Sequence, residues 1–251
     1  MQAFREKVVW ITGAGSGIGR AVARMFAVEG ATLALIGRRA STLQSVCDEV
    51  CACGGHGEVL ALDVRRRDEV EAAARGLLER HGRVDVLINN AGLNVRGRKL
   101  ATLTGEDWDQ VMQTNLTGAF NMIHAVLPAM RKQLDGLIIN VSSMSGKRVS
   151  GIAGTAYTAS KHGMNGLSLS VSAEESANGI RCTALMPGAV NTDMLEKQTI
   201  AYSAEERARM IQPEDLAQAV RFLALMPRRS TVPELHVMPT RSHMPGPVPS
   251  V

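Results

Sequence analysis

The sequence predicts an α/β fold: one doubly wound parallel sheet of about seven strands with helices on both faces. Three observations predict it. Short apolar runs alternate with longer amphipathic ones, the pattern of repeated βαβ units. The short runs are continuously apolar rather than alternating, as expected where helices cover both faces of a sheet. Hydrophobic residues make up 45% of the 251 positions but aromatic ones only 3%, so the core is built from Ala, Val, Leu, Ile and Met.

The elements follow in order. Lys7–Thr12 (KVVWIT) reads as the first strand, and a helix from about Ile18 to Glu29 ends at Gly30. Ala31–Ile36 is the second strand, followed by a helix over Ala40–Cys53 that Gly54 and Gly55 close. Glu58–Leu62 is the third strand, Asp68–His81 a helix stopped by Gly82, and Val84–Asn89 the fourth strand. Thr104 starts the next helix, with Asp107 three residues on as in a capping box. That helix is expected to run unbroken to about Arg131, with a possible kink at Pro128. Gly136–Val141 is the fifth strand, Ala156–Asn178 a long helix, Gly179–Leu185 the sixth strand, Glu214–Met226 the last helix and Glu234–Met238 a seventh strand. No linker divides the chain, so residues 1–238 are expected to form one domain. Within it, the polar segment Asn191–Gln212 stands apart. The tail from Pro239 to Val251 holds four prolines and is expected to be flexible.

Composition excludes several classes. Net charge is +4, but the basic residues are scattered, and the run Arg65-Arg66-Arg67 reads as a solvated helix start. No stacking aromatics interleave with basic residues, so nucleic-acid binding is not expected. No segment reaches the roughly 18 apolar residues of a membrane helix, and no signal-peptide pattern opens the chain; a soluble cytoplasmic protein is the expectation. Cys47, Cys51 and Cys53 cluster near His56 but lack the paired CxxC spacing of zinc sites, so no metal is expected.

The chemistry begins at Thr12-Gly13-Ala14-Gly15-Ser16-Gly17-Ile18-Gly19, between the first strand and first helix. Backbone amides and the helix dipole make such a turn an anion site, and glycines admit a pyrophosphate close to the backbone. The spacing is T-G-x-x-x-G-x-G rather than G-x-G-x-x-G.

This turn resembles the fingerprint of the short-chain dehydrogenase/reductase (SDR) family, which has a Rossmann-type fold, and the resemblance runs from about Lys7 to Met226. Asn89-Asn90-Ala91-Gly92 is similar to the family's NNAG motif, Asn115 to its helix-four asparagine, Ser142-Ser143 to its strand-five serines, and Tyr157-Thr158-Ala159-Ser160-Lys161 to Y-x-x-x-K. Pro187-Gly188 with Thr192 resembles the P-G…T segment that wraps a nicotinamide. Six motifs in the right order are far more specific than any one of them.

The resemblance implies an oxidoreductase interconverting a carbonyl and an alcohol of a small molecule. Tyr157 and Lys161 lie four apart, about one helical turn, and a nearby ammonium is expected to lower a phenol pKa from about 10, fitting Tyr157 as general acid or base. By resemblance Lys161 also binds the nicotinamide ribose, and Asn115 holds a water linking Lys161 to solvent. Ser143 is the favoured donor to the substrate oxygen. It stands 14 residues before Tyr157, against 12 for its competitor Ser145.

NAD enzymes carry an acidic residue at the end of the second strand; here Gly37 is followed by Arg38 and Arg39. This predicts NADP(H) over NAD(H), with Arg38 as main ligand of the 2′-phosphate, the alternative being that both arginines are solvated. Asp63 and Val64 resemble the adenine-contacting pair, with a simple turn as the alternative reading of Asp63. Cofactor contacts are thus expected at Gly13, Gly15, Ser16, Gly17, Ile18, Gly19, Arg38, Arg39, Asp63, Val64, Asn90, Ala91, Gly92, Tyr157, Lys161, Pro187, Gly188, Val190 and Thr192.

Substrate is expected beyond the carboxyl ends of the strands, against Asn94, Ser143, Met144, Ser145, Val149, Tyr157, Met194 and Leu195, with Met186 nearby and 191–212 as the substrate loop. Arg96 and Arg98 read as solvated loop residues, with attraction of an anionic substrate or an acyl-carrier protein as the alternative. The TVPELHVMP ending departs from the commonest glycine-rich family ending, which weighs against a fatty-acid-type 3-oxoacyl reductase. A homodimer or homotetramer through the helices carrying Asn115 and Tyr157 is expected. A catalytically silent NADPH-binding regulator and a purely structural protein are the competing classes. The intact Asn115, Ser143, Tyr157 and Lys161 set speaks against the first, and the unbroken glycine turn against the second.

Overall fold

The computed structural model describes residues 2–149, 151–197 and 201–240. Among them, seven parallel strands form one sheet in the order β3-β2-β1-β4-β5-β6-β7. The strands are β1 (Val8–Thr12), β2 (Thr32–Gly37), β3 (His56–Ala61), β4 (Val86–Asn89), β5 (Gly136–Val141), β6 (Ile180–Pro187) and β7 (Glu234–Val237). Chain order reverses direction between β1 and β4, which opens a crevice above their carboxyl ends. Central β1, β4, β5 and β6 are buried along their whole length, whereas edge strands β3 and β7 are largely half-exposed. This is why the central runs are rich in Val, Ile and Leu.

Two hydrophobic layers sandwich the sheet. On one face α1 (Gly17–Val28), α2 (Ala40–Ala52) and α8 (Pro213–Leu225) bury Val22, Phe26, Val46 and Val220 against Val9, Ile11, Leu33 and Ile88. On the other, α3 (Arg67–His81), α5 (Gly118–Gln133) and α6 (Thr155–Glu175) cover Trp10, Ala34, Leu87 and Ile138 with Leu77, Met122, Val126 and Val171. The expected helix from Thr104 to Arg131 is not continuous. Its Thr104 cap forms, accepting the Asp107 amide at 3.1 Å. The helix then divides into α4 (Gly105–Met112), a π-helical stretch over Gln113–Thr117, and α5. The wider turn is centred on Asn115, whose amide leaves the helix to bond the neighbouring loop. The interior Pro128 is accommodated within α5.

The segment 191–212 carries structure that periodicity missed: a 3₁₀ turn over Asp193–Lys197 and a short α7 (Ala204–Arg209) opened by a Ser203–Glu206 capping box. Its ends are tied by the Asn191 amide donating to the Ile211 carbonyl at 2.9 Å. Of the expected flexible tail, Pro239 and Thr240 are described; 241–251 lie outside the described residues. No described helix is long and apolar enough to cross a membrane. Cys47 is buried with its thiol on the Gly57 carbonyl, Cys182 is buried, and Cys51 and Cys53 are exposed.

The arginine run is not simply solvated. Arg65 clamps Asp63 through its Nε and Nη2 at 2.6 to 3.0 Å. Arg66 pairs with Glu69 at 2.9 Å, and Arg67 donates to Asn121 and lies over the Phe120 ring.

Candidate active site

Tyr157 and Lys161 sit in the first two turns of α6, which starts at Gly154 with φ +81°, a conformation side-chain-bearing residues rarely adopt. Lys161 is 4% exposed, and its ammonium donates to the Val141 carbonyl at 2.8 Å, at the end of β5. It lies 5.6 Å from the centre of the Tyr157 ring. Burial pulls the Lys161 pKa down to about 7. Burial also pushes the Tyr157 phenol above its ordinary value, opposed by a hydrogen bond with Ser143 and by the positive charge of Arg98. The expected lowering by the neighbouring ammonium is therefore not found: desolvation dominates, and the influences that oppose it come from Ser143 and Arg98.

Ser143 leaves β5 in extended conformation and accepts the Ser145 amide at 3.1 Å. The structure thus brings Ser143, not Ser145, to the phenol. Fully buried Asn115 donates to the Leu93 carbonyl (3.0 Å) and Ser160 hydroxyl (3.1 Å) and accepts the Leu93 amide (2.8 Å). Gly92 closes the cluster: a Cβ there would stand 3.4 Å from Asn115 Oδ1 and 3.8 Å from Lys161 Nζ.

A groove of about 130 Å³ runs over the carboxyl ends of β1, β2 and β3. It collects Gly13, Gly15, Ser16, Arg38, Arg39, Asp63, Val64, Ala91 and Gly92. Both arginines are exposed beside it. Asp63 lines it while also turning the chain, its carboxylate accepting the Arg65 amide at 3.1 Å. Its carboxyl is held below the usual range chiefly by the Arg65 guanidinium. Gly17 and Gly19 shape the turn from outside the groove. A Cβ on Gly17 would meet Thr192 at 3.1 Å, and one on Gly19 would strike the Gly13 carbonyl and Asn90 Nδ2 at 2.7 Å. Thr42, Leu43, Leu62, Leu93 and Thr114 also line the groove and were not expected. Thr114 is the most informative of these, since its buried hydroxyl has no hydrogen-bond partner among the described residues.

A larger cavity of about 380 Å³ adjoins it, with Ile18, Asn90, Gly92, Pro187, Gly188, Val190 and Thr192 on one side. Asn94, Ser143, Met144, Ser145, Val149, Tyr157, Met194 and Leu195 all line it, with Lys161 at its base. Asn94 serves as a strut there: Nδ2 donates to the Ala153 carbonyl at 2.9 Å and Oδ1 accepts the Val95 amide at 2.9 Å.

The short chain dehydrogenase family model matches residues 7–203. The chain belongs to the short-chain dehydrogenase family.

Among relatives of this short-chain dehydrogenase is a 3-oxoacyl-[acyl-carrier-protein] reductase of Thermotoga maritima, 39% identical over 87% of this chain and 90% of that one. A 3beta-hydroxysteroid dehydrogenase of Mediterraneibacter gnavus is 37% identical over 84% of this chain and 74% of that one. Among solved structures, a metagenomic short-chain oxidoreductase in complex with NADP superposes with TM-score 0.83 at 36% identity, covering 96% of this chain and 100% of that one. An alcohol dehydrogenase from the archaeon Thermococcus sibiricus, complexed with 5-hydroxy-NADP, gives 0.84 at 31%, covering 93% and 97%.

Two expectations about the cavity of this short-chain dehydrogenase need correction. Met186 is fully buried in β6, its sulfur accepting from Asn165 Nδ2 at 3.3 Å, and belongs to the core. Arg98 is not a solvated loop residue: it is half-buried and lines the cavity, whereas Arg96 is exposed. Arg148, Ile152 and Tyr202 complete the wall. Sequence spacing carried no signal for them, because they reach the cavity only when three loops pack together.

Proposed function

We propose that this chain is an NADP(H)-dependent oxidoreductase that interconverts a small-molecule carbonyl and its alcohol. The observation that carries the reading is the convergence of Ser143, Tyr157 and Lys161 at the base of one cavity that adjoins the glycine-turn groove.

The groove suits a dinucleotide. Ser16 caps α1 without a side-chain hydrogen bond to the first turn, and added carbons at Gly13 or Gly19 would close the turn. Arg38 and Arg39 stand at the end of β2 where a carboxylate would repel a 2′-phosphate. The family's nicotinamide cofactor, when bound, supplies or accepts the hydride at the substrate carbon. Tyr157 donates its proton to the carbonyl oxygen in reduction and takes it back in oxidation. Ser143 donates a hydrogen bond to the same oxygen as charge builds on it. Lys161 would hold the ribose beside Tyr157, and Asn115 fixes the loop at Leu93 and the helix at Ser160. Pro187, Gly188, Val190 and Thr192 would hold the nicotinamide, and Asp63 and Val64 the adenine.

Fluorescence titration with NADPH and NADH tests this on wild type and Arg38→Ala. Tighter binding of NADPH that Arg38→Ala weakens supports the reading. A preference for NADH overturns the cofactor choice, and binding of neither overturns the activity.

A 3-oxoacyl-thioester reductase is the second reading, favoured by the 39% identity to the Thermotoga reductase. We also propose a homodimer or homotetramer through α5 and α6, which expose Phe120 and Leu169. A monomer by analytical ultracentrifugation counts against it.

A further inference from the structure

The wall of the substrate cavity is completed by residues that follow the last strand. In the pairing of β6 with β7, Pro187 lies opposite Val237, so the two strands deliver Gly188 and Met238 side by side. The Gly188 amide donates to the Val237 carbonyl at 2.9 Å. A Cβ on Gly188 would stand 2.9 Å from Pro239 Cδ and 3.2 Å from Met238 Sδ. Met238 and Pro239 both line the substrate cavity. They also line a second hollow of about 450 Å³, together with Met210 and Ile211. The pair therefore forms a partition between the two spaces, at the end of the cavity where Gly188 and Val190 lie.

Much of the polar lining is committed to the protein's own backbone. Asn94 gives both ends of its amide to the loop, and Arg98 donates through Nε and Nη1 to the Val95 and Ile152 carbonyls. Lys161 donates to the Val141 carbonyl, and Asn90 to the Thr12 and Gly13 carbonyls. Around the Ser143 and Tyr157 hydroxyls, the surface left to meet a substrate is chiefly that of Met144, Ile152, Met194, Leu195, Met238 and Pro239. Methionines are unbranched and polarisable, so a wall holding three of them adapts to apolar shapes.

Resting on the oxidoreductase reading above, we infer that Met238 and Pro239 are specificity-determining residues that fit the cavity to a compact, neutral, apolar ketone or its secondary alcohol. Such a substrate is held by its shape, with its oxygen at Ser143 and Tyr157. In reduction the carbonyl carbon takes the hydride and the oxygen takes the Tyr157 proton, giving the alcohol and the oxidised cofactor. The cavity of about 380 Å³ also receives the nicotinamide, which favours a single ring or a branched chain over fused rings. Shortening Met238 would open the cavity toward the hollow behind it and admit the larger class.

A size series tests it. NADPH consumption is measured with cyclohexanone and the fused-ring 2-decalone on wild type, Met238→Ala and Met238→Trp. Wild type is also given 4-oxocyclohexanecarboxylate and its methyl ester. Wild type is expected to favour cyclohexanone over 2-decalone in kcat/KM, and the ester over the acid. Met238→Ala is expected to shift the ketone ratio toward 2-decalone by about tenfold or more, chiefly through KM, and Met238→Trp to shift it the other way, the usual worth of apolar groups in a pocket. Met238 is half-exposed, so its replacement leaves the core intact. An unchanged ratio in both variants, or a loss of activity equal for both ketones, overturns the partition. A wild-type preference for 2-decalone or for the acid overturns the compact, neutral class, and neither comparison needs a variant. No NADPH consumption with any of the four compounds counts against the oxidoreductase reading itself. Calorimetric titration of 2-decalone into the protein saturated with NADP⁺ then decides the partition without turnover. Binding that Met238→Ala tightens by about tenfold supports it, and absent binding or equal affinity overturns it.

Discussion

At the scale of single residues, the two serines after β5 have different jobs. Ser143 meets the Tyr157 phenol with its hydroxyl, while Ser145 contributes its backbone amide to Ser143, a contact that an alanine preserves. Ser143→Ala is therefore expected to lower kcat by about 10²- to 10³-fold, the usual cost of one oxyanion donor, and Ser145→Ala far less. Steady-state kinetics on the two variants checks this, and the reverse order overturns the assignment. Lys161 supports a second prediction. Its pKa falls from its ordinary value to about 7 in the fold, so above pH 7 the unfolded chain binds a proton that the folded one has released. Stability of the cofactor-free protein is then expected to rise with pH from about 7 toward the ordinary lysine value. Lys161→Met, which cannot titrate, should flatten that rise, and should gain stability relative to wild type at pH 6 more than at pH 9. Urea unfolding at the two pH values measures both; a wild-type slope unchanged in the variant would falsify the buried-ammonium account.

At the scale of elements, the glycine turn and α6 show how position decides what a glycine does. A Cβ on Gly19 collides with the Gly13 carbonyl and Asn90, which are backbone and a tethered amide, Asn90 Nδ2 donating to Thr12 O and Gly13 O at 3.1 Å each. Gly19→Ala is expected to cost about 1–3 kcal/mol by overpacking and to abolish tight NADPH binding. Gly166 in α6 faces open space, and alanine there is expected to add about 0.5–1 kcal/mol through helix propensity alone. Urea midpoints and cofactor titration on the pair separate a packing role from a merely conformational one. Two helix ends were readable in local chemistry: Thr104 with Asp107 at the start of α4, and Gly82 at φ +70° after α3. The interruption of α4 and α5 was not, because the π-turn at Asn115 exists to meet Leu93 and Ser160, residues distant in sequence.

At the scale of the whole molecule, one buried carboxylate ties the amino-terminal strand to the sheet centre. Asp85 accepts Lys7 Nζ at 2.8 Å, the Val8 amide at 3.0 Å and the Arg83 guanidinium through both its oxygens. Burial pushes its pKa up, but Arg83, Lys7 and the Val8 amide together outweigh that and hold it below the usual carboxylate range. Its contribution is therefore present above the unfolded carboxylate value near 4 and is lost as pH falls through the lower folded value. Asp85→Asn is expected to cost at least about 2 kcal/mol at pH 7, with the gap to wild type narrowing below about pH 4. Chemical denaturation across that range measures it, and a constant gap overturns the ion-pair explanation.

By itself the sequence determined the seven-strand layering, the family and which residues to look for at the candidate site. These rest on short-range regularities: continuous apolar runs, glycines at a fixed turn, and Tyr157 and Lys161 one helical turn apart. Only the tertiary structure decided which direction the Tyr157 phenol shifts, because desolvation is set by everything packed around the ring rather than by the lysine four residues away. It also decided that Arg98 belongs to the cavity, since the carbonyl at Ile152 that helps anchor it lies 54 positions along the chain and comes near only when the loop after β4 closes on the loop before α6.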